Sequence, residues 1–568
     1  MVNITKKLYW DFVLERKELY ILFIIAAIIA FPIQFSIIPQ KLTKIISQLT
    51  KSNKVISKKD NIFSNVFSNI KRENIMGLIV IIILLFVVIL ICSTVQETCR
   101  LNIIPAHLKH IRTQMFNGLI ERHKDDYKDV PSAEYISRIL EVSRVYTYVS
   151  EYMMSKFIPY GIGIIVVCGY AYSIDTSLGI VTTISLLVII TNCLIWGKRI
   201  EDQSSYREGK YLDMVENLNN DFNNLMNIYI NNGEDDVLNT NNNKNNTASN
   251  EFKKETMMSR NCNVITISLS IVSLVIIFTV GFNKVKNNNL SGLKFATFIT
   301  IYIMYMHWSI ELFQELPSLF TRLGILKQNK EFMENLFKDK NNQREHYVPT
   351  TGSLKIKNLR FRFPKSKQDV FKNVNIEIKN GEKVGIIGQS GSGKSTLVKL
   401  ILQMYSPDEG KILIDNRDGK SINIEDVRES INYVNQRSTL NNDTIIKNIS
   451  FGNNRSDKEI EDFLKKHDLL SIFKYIENGI NGNAGVNGGN LSAGMQKTVL
   501  LTRALLKPKE KVKIYIFDEP LAGLDKNTRE KIMKMITIEC KGRTIICITH
   551  NKEIKQYVDR TIELQKSK

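Results

Sequence analysis

The sequence predicts a bundle of six membrane-crossing helices followed by an α/β domain. Three observations carry this: six apolar runs within the first 313 residues, a change after residue 334 to short β-rich and helical segments, and one glycine-rich loop between a strand and a helix. Crossing a bilayer as a helix takes about 20 apolar residues. Runs of that order lie near 19–39, 75–94, 157–174, 178–197, 264–282 and 293–313, the clearest being GLIVIIILLFVVILIC in the second. Pro32 and Pro39 fall in the first, which a packed membrane helix tolerates because its neighbours re-satisfy the freed backbone groups. Only a few polar residues around Asp175 separate spans three and four, so a tight hairpin is expected there. An even number of spans puts both termini on one side.

Between spans two and three, and again between four and five, lie about sixty polar residues. Stretches such as AHLKHIRTQMFNGLIER keep helical periodicity, so the helices are expected to run on past the bilayer. The segment LNTNNNKNNTASN (238–250) is low in complexity and is expected to be a flexible insertion. Lysine and arginine do not orient the bundle, because the outer loop 40–74 is itself basic, against the positive-inside trend. The domain boundaries expected are 1–334 for the membrane domain with its long helices, 335–350 for a polar linker and 351–568 for the α/β domain.

The 568 residues carry a net charge of +20, with 43% hydrophobic and 24% charged residues, which excludes a disordered chain. No cluster of basic and aromatic residues of a nucleic-acid module accompanies the charge, so no nucleic-acid partner is expected. The seven cysteines are scattered, several in apolar runs, and read as small buried hydrophobes rather than a disulfide framework or zinc site. The start, MVNITKKLYWDFVLERKELY, has acids and large aromatics and resembles neither a signal peptide nor a transit peptide.

Residues 388–396 read GQSGSGKST, preceded by the apolar strand EKVGII and followed by the helix TLVKLILQMY. This is the phosphate-cradling loop in its strand–loop–helix setting. Gly388, Gln389, Ser390, Gly391, Ser392 and Gly393 supply the loop whose backbone N–H groups wrap phosphates, with Thr396 behind them at the favourable end of the helix dipole. Lys394 is expected to reach the β- and γ-phosphates of ATP, and Ser395 to hold Mg²⁺. Further on, KIYIFDEP (513–520) is an apolar strand ending in two acids. Asp518 suits Mg²⁺ through water, and Glu519 suits the base that orients the attacking water.

Six spans, this loop and this acidic strand end together resemble the ATP-binding cassette (ABC) family, specifically a half-transporter of the type I exporter form, over essentially the whole chain. The resemblance implies further roles. Phe363 in NLRFRFP takes the place of the aromatic residue that stacks on adenine. Gln436 in INYVNQRSTL matches the glutamine that touches Mg²⁺ and senses the membrane part. LAGLD resembles the family's D-loop, with Asp525, and CITHN its switch loop, with His550 at the γ-phosphate. Each ATP in this family lies between the glycine loop of one cassette and the signature of another. One cassette per chain therefore implies a homodimer, or a heterodimer with another half-transporter. The signature here reads LSAGMQKTV (491–499), retaining Ser492 and Gly494 but carrying Ala493 and Met495 where the family usually has glycine and a polar residue. Ala493 is acceptable only with a negative φ. Upstream, AGVNGGN lacks the acid and arginine of the family's V-G-E-R-G-x-x loop. With the hydrolytic residues intact, a working ATPase is expected.

Three stretches resemble mitochondrial Atm1-type half-transporters, which export a glutathione-linked sulfur compound for iron–sulfur assembly: LNNDTI (440–445), NIYINN (227–232) and SIELF (309–313). In the last, Glu311 and Phe313 replace the type's proline and asparagine, and the arginine-rich motif expected near EYISRI (134–139) is missing. That likeness implies a multi-pass protein of a mitochondrial or mitochondrion-derived inner membrane, in contact with lipid and a small-molecule substrate. His307, Glu311 and Gln314 recur on one face of the sixth span, with Glu315 beside them, and are read either as a polar cavity lining or as headgroup-level residues. Alternating access is the expected mechanism, with helices near 127–137 and 228–238 passing cassette closure to the spans. The rivals are an exporter of lipid, peptide or drug-like substrates and a non-transporting regulatory ABC protein.

Overall fold

The computed structural model describes residues 4–55, 72–124, 132–337, 344–363, 366–389, 391–435, 438–550 and 552–565. They divide into a helical unit and an α/β unit.

In the helical unit, α1 (Ile4–Glu15) precedes α2 (Lys17–Pro32), which passes through a π-helical stretch, Ile33–Ile37, into α3 (Ile38–Val55). After α4 (Arg72–Lys124) and α5 (Ser132–Tyr152), a second π-helical stretch, Met153–Phe157, leads into α6 (Ile158–Ile174). Both wide turns have the same cause. Pro39 lacks the N–H that would bond residue 35, and Pro159 lacks the one for residue 155, so the helix widens by a residue around each missing bond. Then follow α7 (Thr176–Asn223), α8 (Leu225–Ile230), α9 (Glu234–Lys286), α10 (Gly292–Gln328) and α11 (Lys330–Leu336).

Among the described residues, five helical stretches, overlapping the first five predicted spans, are long and apolar enough to cross a membrane: Lys17–Gln48, Ile75–His123, Ala133–Ile174, Thr176–Asn223 and Glu234–Lys286. The sixth predicted span lies within α10, a continuous helix of 37 residues, but His307, Glu311, Gln314 and Glu315 dilute its apolar character. At 48 residues α7 is about 72 Å long, more than twice the hydrocarbon thickness. The expected hairpin turns on a single residue. Asp175 caps α7 through Ser177 N (2.8 Å) and Leu178 N (3.2 Å), and Lys284 Nζ of α9 donates to both its oxygens at 2.5 and 2.6 Å.

The expectation of a flexible insertion at 238–250 is corrected: the segment lies inside α9. Its less exposed residues, Val237, Asn241, Lys244, Ala248, Glu251 and Glu255, fall at alternating steps of four and three, the seam spacing of two packed helices. The seam facing α7 is bonded by amides. Asn241 Nδ2 donates to Asp221 Oδ2 (2.8 Å), Asn217 Nδ2 to the same oxygen (3.1 Å), and Lys244 Nζ to Asn217 Oδ1 (2.8 Å). Of the two predicted transmitting segments, the first, 127–137, lies outside the described residues up to 131 and opens α5 from Ser132. The other is α8 and a turn at 231–233, with Met226, Tyr229 and Ile230 strongly exposed.

The α/β unit has two sheets. The first is antiparallel, in the order β2-β1-β4-β5, from β1 (Leu354–Phe361), β2 (Phe371–Ile378), β4 (Glu409–Ile414) and β5 (Arg417–Asp418). The second is parallel, in the order β6-β7-β8-β3-β9, from β3 (Lys383–Ile387), β6 (Ile431–Val434), β7 (Ile514–Asp518), β8 (Thr544–Thr549) and β9 (Arg560–Glu563). Strands β7 and β8 are buried along their whole length, as parallel strands covered on both faces must be. Helices α12 (Lys394–Ile401), α13 (Ile424–Ser430), α14 (Ile445–Ser450), α15 (Asp457–Lys466), α16 (Ala493–Leu505) and α17 (Lys526–Glu539) complete the unit.

Asp415, after β4, accepts from the backbone N–H groups of Thr350, Thr351, Gly352 and Ser353 at 2.7–2.9 Å and so pins the entry to β1. Replacing it by alanine is expected to leave four donors without this acceptor and lower stability by about 2 kcal/mol, read from thermal unfolding.

Candidate functional site

The glycine loop leaves β3 and ends at α12, at the carboxyl edge of the parallel sheet, where ligands of open α/β sheets bind. Gly391 and Gly393 have φ of +79° and +89°. A Cβ on Gly393 would also lie 2.8 Å from Phe371 and Val370, so alanine fails there on both counts. Gly388 abuts Ser392 Oγ, which is buried and has no hydrogen-bond partner among the described residues. Lys394 Nζ folds back onto the loop, donating to Gly388 O (2.8 Å) and Gln389 O (2.9 Å). Thr396 follows in the first turn of α12. Ser390 and Gln436 lie outside the described residues.

Asp518 ends β7 and is buried. Its Oδ2 accepts from Ser395 Oγ at 3.3 Å and from Tyr433 OH at 3.2 Å. Burial pushes its carboxyl above the usual range, and the Glu519 charge adds to this, against the Tyr433 and Ser395 hydrogen bonds. Ser395 and Asp518 thus converge as an all-oxygen pair, the donor chemistry that suits Mg²⁺.

Glu519 is only 6% exposed and holds a φ of +51°, rare for a side chain of its size. Four bonds hold its N–H and its carboxylate. Its N–H donates to Ile548 O (2.8 Å), and its carboxylate accepts from Thr549 Oγ1 (2.9 Å), His550 N (2.9 Å) and His550 Nδ1 (2.6 Å). Strands β7 and β8 are neighbours, which is why acid and histidine meet although 31 residues separate them.

Phe363 follows β1, is 36% exposed, and stands edge-on to Phe361 and Tyr405 with ring centres 5.1 and 5.6 Å away. Ser492, Gly494 and Asp525 make their bonds within their own segments. Ser492 caps α16 through Met495 N (3.3 Å), Gly494 O accepts from Thr498 Oγ1 (2.9 Å), and Asp525 caps α17 through Thr528 N (3.0 Å). Ala493 is the first residue of α16 and is not among the positive-φ residues, so its methyl meets the condition set above. Met495 packs against the adjoining apolar core.

Sequence reasoning missed three residues of this region. Tyr433 bonds Asp518, and Thr549 bonds Glu519; they lie three residues before Gln436 and one before His550, inside the stretches quoted for those two. Lys497, six residues into the signature stretch, donates to the backbone oxygens of Glu519 and Ala522, the latter at 3.0 Å. No motif of five residues reaches it.

Comparison with known proteins agrees with this architecture. The family model described as ABC transporter transmembrane region matches residues 19–310, just over half the chain, and the one described as ABC transporter matches 371–522. A Rickettsia typhi protein named for export ATP-binding and permease roles is 26% identical over 516 residues, covering 89% of each chain. The alpha-hemolysin translocation ATP-binding protein HlyB of Escherichia coli is 37% identical over 221 residues, 38% of this chain and 30% of its own. A solved bacterial Atm1-family ABC exporter with ATP bound superposes with a TM-score of 0.82 at 16% identity, covering 97% of this chain and 93% of that one, which establishes likeness of fold. A helical membrane unit joined to a cassette carrying a complete glycine loop and paired acids has one consistent assignment: the chain belongs to the ABC transporter family, as a multi-pass half-transporter of the exporter type whose ATPase drives transport.

Proposed function

We propose that this chain, paired with a second copy or with another half-transporter, exports a small zwitterionic solute of the glutathione-linked class. One observation carries the substrate reading. Glu311, inside the sixth predicted span, forms an ion pair with Lys156 on the second π-helical stretch, and Tyr160 OH donates to its other oxygen at 3.4 Å. Trp308 lies 5.7 Å from the Tyr160 ring and 6.2 Å from that of Phe35 on the first π-helical stretch. Ionisable groups in a span face a water-filled path or one another, and here they do so beside two widened helix turns. His307, Gln314 and Ser318 extend the polar stripe, all exposed on the same face of α10. Lys156 and Glu311 offer a cation and an anion to a solute bearing both carboxylate and ammonium.

The cassette residues take the roles set out above. Lys394 and the loop N–H groups hold the phosphates, Phe363 packs on adenine, and Ser492 with the N-terminus of α16 meets the γ-phosphate bound by the partner cassette. Ser395 and Asp518 would hold Mg²⁺, which when bound neutralises charge on the β- and γ-phosphates. Glu519 accepts a proton from the attacking water as His550 swings from it to the γ-phosphate.

The test is ATP turnover by the purified protein in lipid with and without oxidised glutathione. Turnover should rise several-fold, and Glu311→Gln and Lys156→Gln should each remove the rise while keeping basal turnover. Turnover indifferent to the peptide in the unaltered protein would leave the pump and discard this substrate.

A further inference from the structure

Helix α16 touches two different places that matter for hydrolysis. Its N-terminus, from the Ser492 cap to Gly494, is the part assigned to the ATP of the partner cassette. Its second turn carries Lys497, whose ammonium bonds the backbone oxygens of Glu519 and Ala522, in the chain's own hydrolytic strand end. Those two carbonyls bracket Pro520 and Leu521, directly after the strained φ of Glu519. A residue held at such a φ needs its surroundings to over-determine it. Ile548 anchors the Glu519 N–H, Thr549 and His550 anchor its carboxylate, and Lys497 anchors its carbonyl. A second contact follows the same route: a Cβ on Gly494 would lie 3.4 Å from Leu524, next to Asp525.

We propose that Lys497 is a positioning residue that couples the two ATP sites of the dimer. Nucleotide meeting the start of α16 sets the placement of Glu519 through this ammonium, so one site is primed by occupancy of the other. The proposal rests on the dimer and on the base role given to Glu519 above. An ammonium has three donors and a flexible stem, so it can follow both carbonyls through a small movement of α16, whereas an apolar side chain cannot.

The experiment compares Lys497→Met and Lys497→Arg in the full chain in lipid, measuring ATP turnover, affinity for a fluorescent ATP analogue and thermal unfolding. Methionine is expected to lower kcat about 10-fold or more with nucleotide affinity within about twofold, and arginine, which can donate to both carbonyls, to recover most of the loss. In a double-mutant cycle the losses from Lys497→Met and Ser492→Ala should not multiply, because both interrupt one route. Wild-type turnover in Lys497→Met overturns the proposal. So does a joint fall of turnover, affinity and unfolding temperature without rescue by arginine, which marks a packing role, and so do losses that multiply. If the methionine variant does not fold, Lys497→Gln, neutral and one atom shorter, carries the same comparison. Undiminished turnover in Glu519→Gln would instead sink the base assignment on which the coupling rests.

Discussion

Replacing Glu519 by glutamine is expected to lower ATP turnover about 100-fold or more while leaving nucleotide binding in place. Glutamine keeps the length and one carbonyl oxygen of the glutamate, so the His550 N–H retains an acceptor, and the backbone bond to Ile548 is untouched. What disappears is the carboxylate assigned to take a proton from water, and its neighbour Asp518 is turned to Ser395 and Tyr433. Lys394 and the glycine loop are unaffected, so ATP should accumulate in the site. Turnover and bound nucleotide, measured on one preparation, check both halves. Full turnover in the variant would move the base elsewhere.

The largest expected effect on stability belongs to Glu539, at the end of α17. Its side chain is 3% exposed and gathers Lys466 Nζ (2.7 Å), His467 Nε2 (2.8 Å) and Lys509 Nζ (2.6 Å), joining α17 to the end of α15 and the segment after α16. Burial alone would raise its carboxyl, but Lys466, Lys509 and His467 outweigh this and hold it down at about 2. A folded value below the unfolded one means that the ionised group stabilises the fold above the unfolded value, near 4.5, and that this is lost as pH falls through about 2. The shift corresponds to about 3 kcal/mol. Glu539→Gln should cost a similar amount at pH 7, since the two lysines regain water but His467, 3% exposed, keeps no charged acceptor. Thermal unfolding at pH 7 should show the loss. The gap between variant and wild type should narrow below pH 4; a gap independent of pH would assign the effect to packing.

Much of the candidate site is legible in the sequence because phosphate chemistry constrains neighbouring residues. GQSGSGKST needs its glycines and lysine in one order, and β7 must end where Asp518 and Glu519 can face the loop. The signature was harder to judge, since the letters at 493 do not reveal φ; the structure places Ala493 in a helix, where a methyl is harmless. Lys497 escaped because its partners are backbone oxygens, which leave no pattern in the sequence. The stretch 238–250 hides its helix for a related reason. Helix reading relies on apolar spacing, and this seam has the spacing but fills it with asparagine and lysine. In the sixth span the same substitution of polar for apolar residues marks the ion pair of Lys156 and Glu311.

The asparagine seam between α7 and α9 also has a mechanical consequence. Apolar seams let two rods slip, because one methyl group is much like the next. Hydrogen bonds to amide and carboxylate oxygens are directional and fixed in register, so slipping by one residue would break the bonds of Asn241 to Asp221 and of Lys244 to Asn217 together. The paired arm therefore behaves as a stiff lever with little play. A push applied at the turn beyond α8 reaches the far end of the arm as displacement rather than being absorbed as shear.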